Sequence, residues 1–386
     1  MSPPTQGTAD SSADALLLHL RNQLFQMGKQ VLPLLIPPPV HYVVWESLPG
    51  GMESYVSQYS NRFYDRREIF LFSLRPTGNG LTNCSEEYYQ QGSHNNWTCY
   101  TRFFKYARQH RHDLFHLLNS GPIILLLLLL AGARNPVYHI HGTKYWKTWK
   151  DKLYLMTAWR IASWFRVRFV ANSGYSAGIF ERDVLPIRPK VVYNGFELSR
   201  FLEKRWLRAR LRRMAYIGRL DKGKNVHLVI RLFEEAAAND PDLELHIAGI
   251  GHLDTELRLQ ASRGPFADRI VFHGWIADVA GFYQSVDLFV FLSAYESFGN
   301  VLPEALLTGL PILTSNIPVF EEIHGGEKAF CLGNPDNYAE ISRNFHKAIA
   351  DYPALAQKAY AAAERLKSLF DIETHLTAIE QTYETS

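Results

Sequence analysis

The sequence predicts an α/β fold made of two Rossmann-like doubly wound domains facing across a cleft. Three observations predict it. From Val40 onward, short β-rich runs alternate with helical patterns, the sign of parallel α/β architecture. The basic segment EKRWLRARLRR (203–213) interrupts that alternation, which then restarts. And 386 residues are too many for one ordinary core. The expected boundaries are an N-terminal extension over 1–38, a first domain over 39–200, a second over 201–368 and a terminal helix over 369–386.

In the first half VHYVVW (40–45) reads as a buried strand, followed by the loop ESLPGG and a helix from about Met52. EIFLFSL (68–74), DLFHLL (113–118), PVYHIHG (136–142), RFVANS (168–173) and KVVYNG (190–195) continue the series. After the basic segment come MAYIGRL (214–220), LELHIAGIG (243–251), IVFHGW (270–275), DLFVFLS (287–293) and PILTSN (311–316). The apolar run Ile123–Ala131 falls well short of the ~20 residues that span a bilayer, and its place between strands predicts a buried helix. Ala15–Ile36 lacks the basic start and small-residue cleavage site of a signal peptide, so residues 1–14 are expected to be disordered and the rest amphipathic. DIETHLTAIEQTYE (371–384) predicts a closing helix that crosses back onto the first domain.

Composition narrows the function classes. Hydrophobic residues make up 47% and charged residues 20%, which excludes a disordered chain. A net charge of +3 demands no polyanionic partner. Three scattered cysteines form neither a disulfide framework nor a zinc spacing, and favour a reducing cytoplasm.

The chemistry concentrates at strand ends. In MAYIGRLDKGKN, Arg219 and Lys224 stand five apart after a strand, and two fixed cations there suit a diphosphate. Taken alone, such residues are more often solvated loop charges. SAYESFGNVLPEALLTG (293–309) places Glu296 in a loop and Glu304 in the first turn of a helix, with Asn300 as expected N-cap and Gly309 as terminator. The amides around Gly299–Leu302 then form an anion site. Carboxylates beside a phosphate make sense where each accepts hydrogen bonds from flanking hydroxyls, a ribose on one side and a sugar on the other. The bland alternative is a helix-start glutamate offsetting the macrodipole and a solvated loop glutamate.

GRLDKGKN, HIAGIG, YNGFELSRF and the segment FHGWIADVAGFYQSVDLFVFLSAYESFGNVLPEALLTGLPIL resemble the retaining glycosyltransferases of family 4, which have the GT-B fold. The resemblance runs from about Val40 to the end and is strongest over 214–323. It implies that Glu304 holds the ribose hydroxyls, Glu296 the donor sugar, and Arg219 and Lys224 the diphosphate. It puts the base against the main chain near Trp275 and Ile276, and the phosphates beside Phe298, Gly299, Asn300 and Val301. Gly50 and Gly51 match the family's glycine-rich loop. His141 matches its cleft histidine, giving a catalytic set of Glu296, His141, Arg219 and Lys224, while His139 is expected to pack. Ser173 and Asn194-Gly195 match further strand-end positions facing the cleft. The chain departs from the family in its long start and in Ser297, where glycine is usual.

The implied reaction moves a hexose from a nucleotide sugar, UDP-linked by default, to a glycan or lipid-linked acceptor in surface-polysaccharide or lipopolysaccharide synthesis. No cofactor and no metal are expected, and Glu304 and Lys224 should be exposed. The alternative within the fold is an enzyme on soluble small molecules, a nucleotide-sugar epimerase or a sucrose-type synthase. A catalytically silent sugar-binding protein ranks lower, and a nucleic-acid binder last, because no recognised motif accompanies the basic cluster. Trp146, Trp149 and the lysines beside them, with Lys204, Arg205, Arg208, Arg210, Arg212 and Arg213, predict a basic, aromatic-flecked surface for an anionic membrane. The expected location is cytoplasmic, peripheral on the inner face of the plasma membrane.

Overall fold

The computed structural model describes residues 37–45, 56, 59, 67–75, 89–134, 136–202 and 209–384. The expected extension up to residue 36, the start of the helix at Met52, the Gly50-Gly51 loop, Lys204, Arg205 and Arg208 lie outside the described residues. The chain forms two compact units. One comprises the residues up to His139 with Trp146–Phe169, the other Ile140–Tyr145 with Val170 onward.

In the first unit β1 (Val40–Val44), β2 (Ile69–Ser73), β3 (Tyr89–Gln91), β4 (Leu114–Leu118) and β5 (Val137–Ile140) run parallel in the order β3-β2-β1-β4-β5. Every residue of β1, β4 and β5 is buried, as continuous apolar runs require of strands covered on both faces. His139 packs as expected, its Nδ1 3.2 Å from His116 Nε2 on the next strand. Pro122–Leu130 is the expected buried helix, opened by a proline in its first turn. The helix Trp149–Ser163 starts with a capping box in which Thr148 and Asp151 satisfy each other's backbone amides. Its Trp159 is 1% exposed and packs edge-on against Tyr138, whereas Trp149 is 73% exposed and Trp164, just past its end, 82%.

The second unit takes in the parallel contacts of β6 (Arg168–Ala171) with β7 (Lys190–Val191) and a six-stranded parallel sheet. That sheet contains β8 (Arg213–Ile217), β9 (Glu244–Ala248), β10 (Ile270–Gly274), β11 (Leu288–Phe291), β12 (Ile312–Ser315) and β13 (Cys331–Gly333), ordered β10-β9-β8-β11-β12-β13. Sequence pattern missed β3 and β13, because three residues are too few to show a period. In one part of the expected basic surface the arginines are exposed, but two of them are paired with acids. Arg210 pairs with Asp242 at 3.1 Å and Arg213 with Glu244 at 3.5 Å, while Asp287 accepts the backbone N–H groups of Arg212 and Arg213. These side chains stitch the entrance of β8 to its neighbours. Among the described residues no helix is long and apolar enough to cross a membrane.

The terminal helix Ile372–Glu384 is tied to the segment after β7. Phe196 N–H donates to Phe370 O (2.8 Å), Ile372 N–H donates to Phe196 O (3.0 Å), and Lys190 Nζ reaches Ala378 O (3.0 Å). A Cβ on Gly195 would lie 2.6 Å from His375 Cβ and 2.8 Å from Ile372 Cα. Gly195→Ala is therefore expected to destabilise this unit by about 1–3 kcal/mol, the usual cost of overpacking. Urea denaturation checks it, and an unchanged midpoint and slope would contradict the docking described.

Candidate active site

The strand order of the six-stranded sheet reverses between β8 and β11, and open α/β sheets bind ligands at that point, beyond the carboxyl ends of the strands. Four loops collect there. Backbone bonds from Gly218 N–H to Ala248 O (3.0 Å) and from Gly249 N–H to Gly274 O (2.6 Å) lay the loops after β8, β9 and β10 side by side. Only glycine fits at position 249, since a Cβ would come 1.8 Å from Gly218 O and φ is +131°. Across the reversal, Ala294 N–H donates to Gly223 O (2.9 Å) and Asn225 Nδ2 to Leu292 O (2.8 Å), binding the β8 loop to the β11 loop.

These bonds bring Lys224 and Glu296 together in an ion pair whose side chains are only 15% and 13% exposed. Ser293 Oγ donates to the same carboxylate oxygen at 3.2 Å. Arg219 is different: its side chain is 78% exposed and pairs with Asp221 at 3.0 Å. Glu304 sits in the first turn of the helix Val301–Leu307, half-buried, and accepts a hydrogen bond from Tyr283 Oη at 3.2 Å. Burial pushes its carboxyl up to about 7, partly opposed by the Tyr283 hydroxyl and the charge of Arg200. The expectation that Lys224 and Glu304 are exposed is thus corrected. The adjoining loops and the helix cover most of Lys224 and part of Glu304.

Two further expectations change. Asn300 does not cap the helix: its backbone is already helical (φ −47°, ψ −35°) and its side chain is committed to Asn194 Nδ2 at 2.8 Å. The Leu302 amide is likewise not free, since it donates to Gly299 O at 2.9 Å. Phe298 turns its ring away from the loop surface into a cluster with Tyr193, Phe196 and Phe370, 1% exposed, so only its main chain can meet a ligand. Val301 is half-buried beside it, Trp275 is 65% exposed at the end of β10, and Ile276 packs against the core.

The other side of the same unit closes on this loop. Ser173, fully buried, caps the helix Gly174–Asp183 and donates to Ser297 O at 2.7 Å, and Ser176 donates to the same carbonyl at 3.0 Å. Ser173 is therefore an anchor of the Glu296 loop, not a group presented to a ligand. His141, half-buried after β5, is held down to about 3, first by burial and then by His375 beside it, so its imidazole is neutral. Glu322 was not singled out by the sequence. It accepts from Gly174 N–H (2.6 Å), Tyr175 N–H (2.9 Å) and Tyr193 Oη (2.8 Å), neutralising a helix start in a separate stretch of chain. Tyr283 and Arg200 also lacked a local signal, because their partner Glu304 lies far along the sequence. The His and Asp side chains close enough to hold a metal ion among the described residues are His41, His110 and Asp113, in the first unit and outside these loops.

Residues 203–365 match the family described as Glycosyl transferases group 1, and residues 49–200 match Glycosyltransferase Family 4. The chain is 32% identical over 198 residues to a glycogen synthase of Mycobacterium tuberculosis, which covers 50% of this chain and 47% of that one. It is 26% identical over 176 residues to the capsular polysaccharide biosynthesis glycosyltransferase CapM of Staphylococcus aureus, covering 45% and 46%. The chain thus spans about half the length of these curated relatives. Its fold is shared with Anabaena Alr3699/HepE, solved in complex with UDP and glucose, at a TM-score of 0.74 and 19% identity over 90% of this chain and 100% of that one. With both halves matched, the chain belongs to the glycosyltransferases of GT-B architecture, a Family 4 domain followed by a group 1 domain.

Proposed function

We propose that the protein is a retaining hexosyltransferase that moves a hexose from a UDP-linked donor to a hydroxyl of a glycan or lipid-linked acceptor of the cell surface. One observation carries this reading: Lys224, Glu296 and Glu304 are gathered at the carboxyl ends of β8 and β11. The name of the capsular relative supports the acceptor class, and the UDP and glucose held by the Anabaena protein support the donor.

In this reading Glu304 accepts the ribose hydroxyls and Glu296 a sugar hydroxyl. The Lys224 ammonium has three donors, so it can keep Glu296 and still meet a diphosphate oxygen. Arg219, in an exposed pair of little net strength, exchanges Asp221 for phosphate. The main chain at Trp275–Ile276 meets the base and that at Phe298–Val301 the phosphates. The bond from the anomeric carbon to the diphosphate breaks, and the acceptor oxygen bonds on the same face. Its proton leaves on a diphosphate oxygen. The protein stabilises the charge gathering on that leaving group, and this requires no metal. The enzyme works in the cytoplasm on an acceptor at the inner membrane face.

Purified protein screened against nucleotide sugars, without added divalent cations, tests the assignment. A UDP-hexose should raise the melting temperature and be hydrolysed slowly. Response to GDP-mannose alone would transfer the assignment to that donor, and a free sugar epimer would replace transfer by epimerisation. In the same assay Lys224→Ala and Glu304→Ala should each lower turnover by at least about 10²-fold, the usual effect of removing one preorganised group. Normal turnover in either variant would sink its role.

The Glu304 carboxyl also sets a pH dependence. A ribose hydroxyl donates best to the carboxylate, which predominates above about 7, so UDP affinity should rise as pH goes from 6 to 8. Glu304→Gln should flatten that rise, measured by calorimetry. The stability of the free protein moves the other way. A carboxyl raised from 4.5 to about 7 on folding contributes stability at low pH that is lost as pH climbs through that window.

Membrane attachment would rest on the helix Trp149–Ser163, where Trp149, Leu153 and Tyr154 are exposed beside Lys150 and Lys152, and on Trp164 and Phe165 after it. Tryptophans settle at headgroup depth and each nearby basic residue adds about 1 kcal/mol on an anionic leaflet. Co-sedimentation with liposomes should rise with anionic lipid and fall with salt. Binding indifferent to both would remove the electrostatic argument.

A further inference from the structure

The first unit holds a second cluster of chemistry at the amino ends of β1 and β4. His41 on β1 is fully buried, its ring stacked between Phe70 (centroids 4.6 Å, 8°) and Phe115 (4.9 Å, 22°). Two phenyl faces leave the imidazole only its edges for bonding. Nδ1 lies 2.5 Å from Tyr106 Oη and Nε2 3.0 Å from Asp113 Oδ2. The same carboxylate oxygen is 3.2 Å from His110 Nδ1. His110 caps the helix Asn96–Gln109, and the turn closed by Asp113 N–H to His110 O (2.9 Å) brings the two side chains together.

We propose that His41, His110 and Asp113 form a zinc site that clips the end of the helix Asn96–Gln109 to the sheet. Zinc bonds imidazole nitrogen and carboxylate oxygen at about 2.0–2.2 Å, which spaces tetrahedral ligands roughly 3.3 Å apart. The observed spacings of 3.0 and 3.2 Å are close to that, and all three donor atoms lie within 4.8 Å of one another. Two imidazoles with one carboxylate select a borderline ion and disfavour calcium and magnesium, which take oxygen ligands. Tyr106 supplies the outer support. By accepting the Nδ1 proton of His41 it fixes the tautomer that leaves the Nε2 lone pair for the metal, the usual way a ligating histidine is oriented. Access is open on one side, where the His110 and Asp113 side chains are 33% and 26% exposed. The buried, π-sandwiched His41 makes this more than a chance surface grouping, because its ring cannot swing away from the Asp113 carboxylate.

The full-length protein, stripped with a chelator and dialysed, is titrated with zinc in competition with a chromophoric chelator. The wild type should bind one equivalent tightly and melt at a higher temperature with zinc. His110→Ala and Asp113→Ala, at partly exposed positions, should lose that equivalent and the thermal shift, and Tyr106→Phe should bind about 10- to 100-fold more weakly. Failure of the wild type to bind, or equal affinity in His110→Ala and Asp113→Ala, would reduce the cluster to a hydrogen-bonded network and overturn the proposal.

Discussion

The carbonyl of Ser297 is the point on which the candidate site hangs. A backbone oxygen drawn out of water needs partners, and two serine hydroxyls supply them at 2.7 and 3.0 Å. They come from the start of a helix more than a hundred residues earlier. Beside that carbonyl, Phe298 is sunk among three aromatic rings. A loop pinned on both sides of one peptide has little freedom left, so the residue just before it, Glu296, is aimed by the backbone. Glu322 completes the arrangement by satisfying the amides at the start of the same helix.

The two glutamates that flank this anchor live in different electrostatic surroundings. Glu296 faces an ammonium and a hydroxyl. Glu304 faces a phenol, with burial working against its charge. The eight-residue spacing therefore does more than bracket a helix start. It separates a carboxylate with a fixed cationic partner from one whose charge depends on what is bound beside it. A macrodipole role alone would not account for a Glu304 carboxylate turned toward the Tyr283 hydroxyl, which also donates to Val301 O at 3.0 Å.

Strands with every residue buried were legible because a continuous apolar run has few other uses in a chain of this composition. The strand–loop–helix setting of Glu296 and Glu304 was legible for the same local reasons. What the sequence could not display was who meets whom. Lys224 reaches Glu296 only because β11 lies next to β8, an adjacency that skips β9 and β10. Glu322 and Ser173 act on partners 124 to 148 residues away. Asn300 has the right residue type for a cap, yet its side-chain oxygen accepts from Asn194 Nδ2, a competitor invisible along the chain. Arg210 and Arg213 read as part of a basic patch because the acids that pair with them, Asp242 and Glu244, lie just before and at the start of β9, about thirty residues on.

His141 draws the chemistry together. A strand-end histidine invites the role of general base, but burial and the neighbouring His375 hold it at about 3. A group so reluctant to take a proton cannot remove one from a sugar hydroxyl near neutral pH, where a useful base has its pKa close to the working pH. Neutral His141 is confined to hydrogen bonding and to filling space. Glu296 is bound to Lys224, and Glu304 lies toward the ribose in the proposed pose. In the proposed reaction the acceptor proton then has its natural destination on the departing diphosphate, whose oxygens gain charge as the anomeric bond opens. The electrostatics around the site thus favour a scheme in which the protein positions and neutralises while the substrate carries its own base.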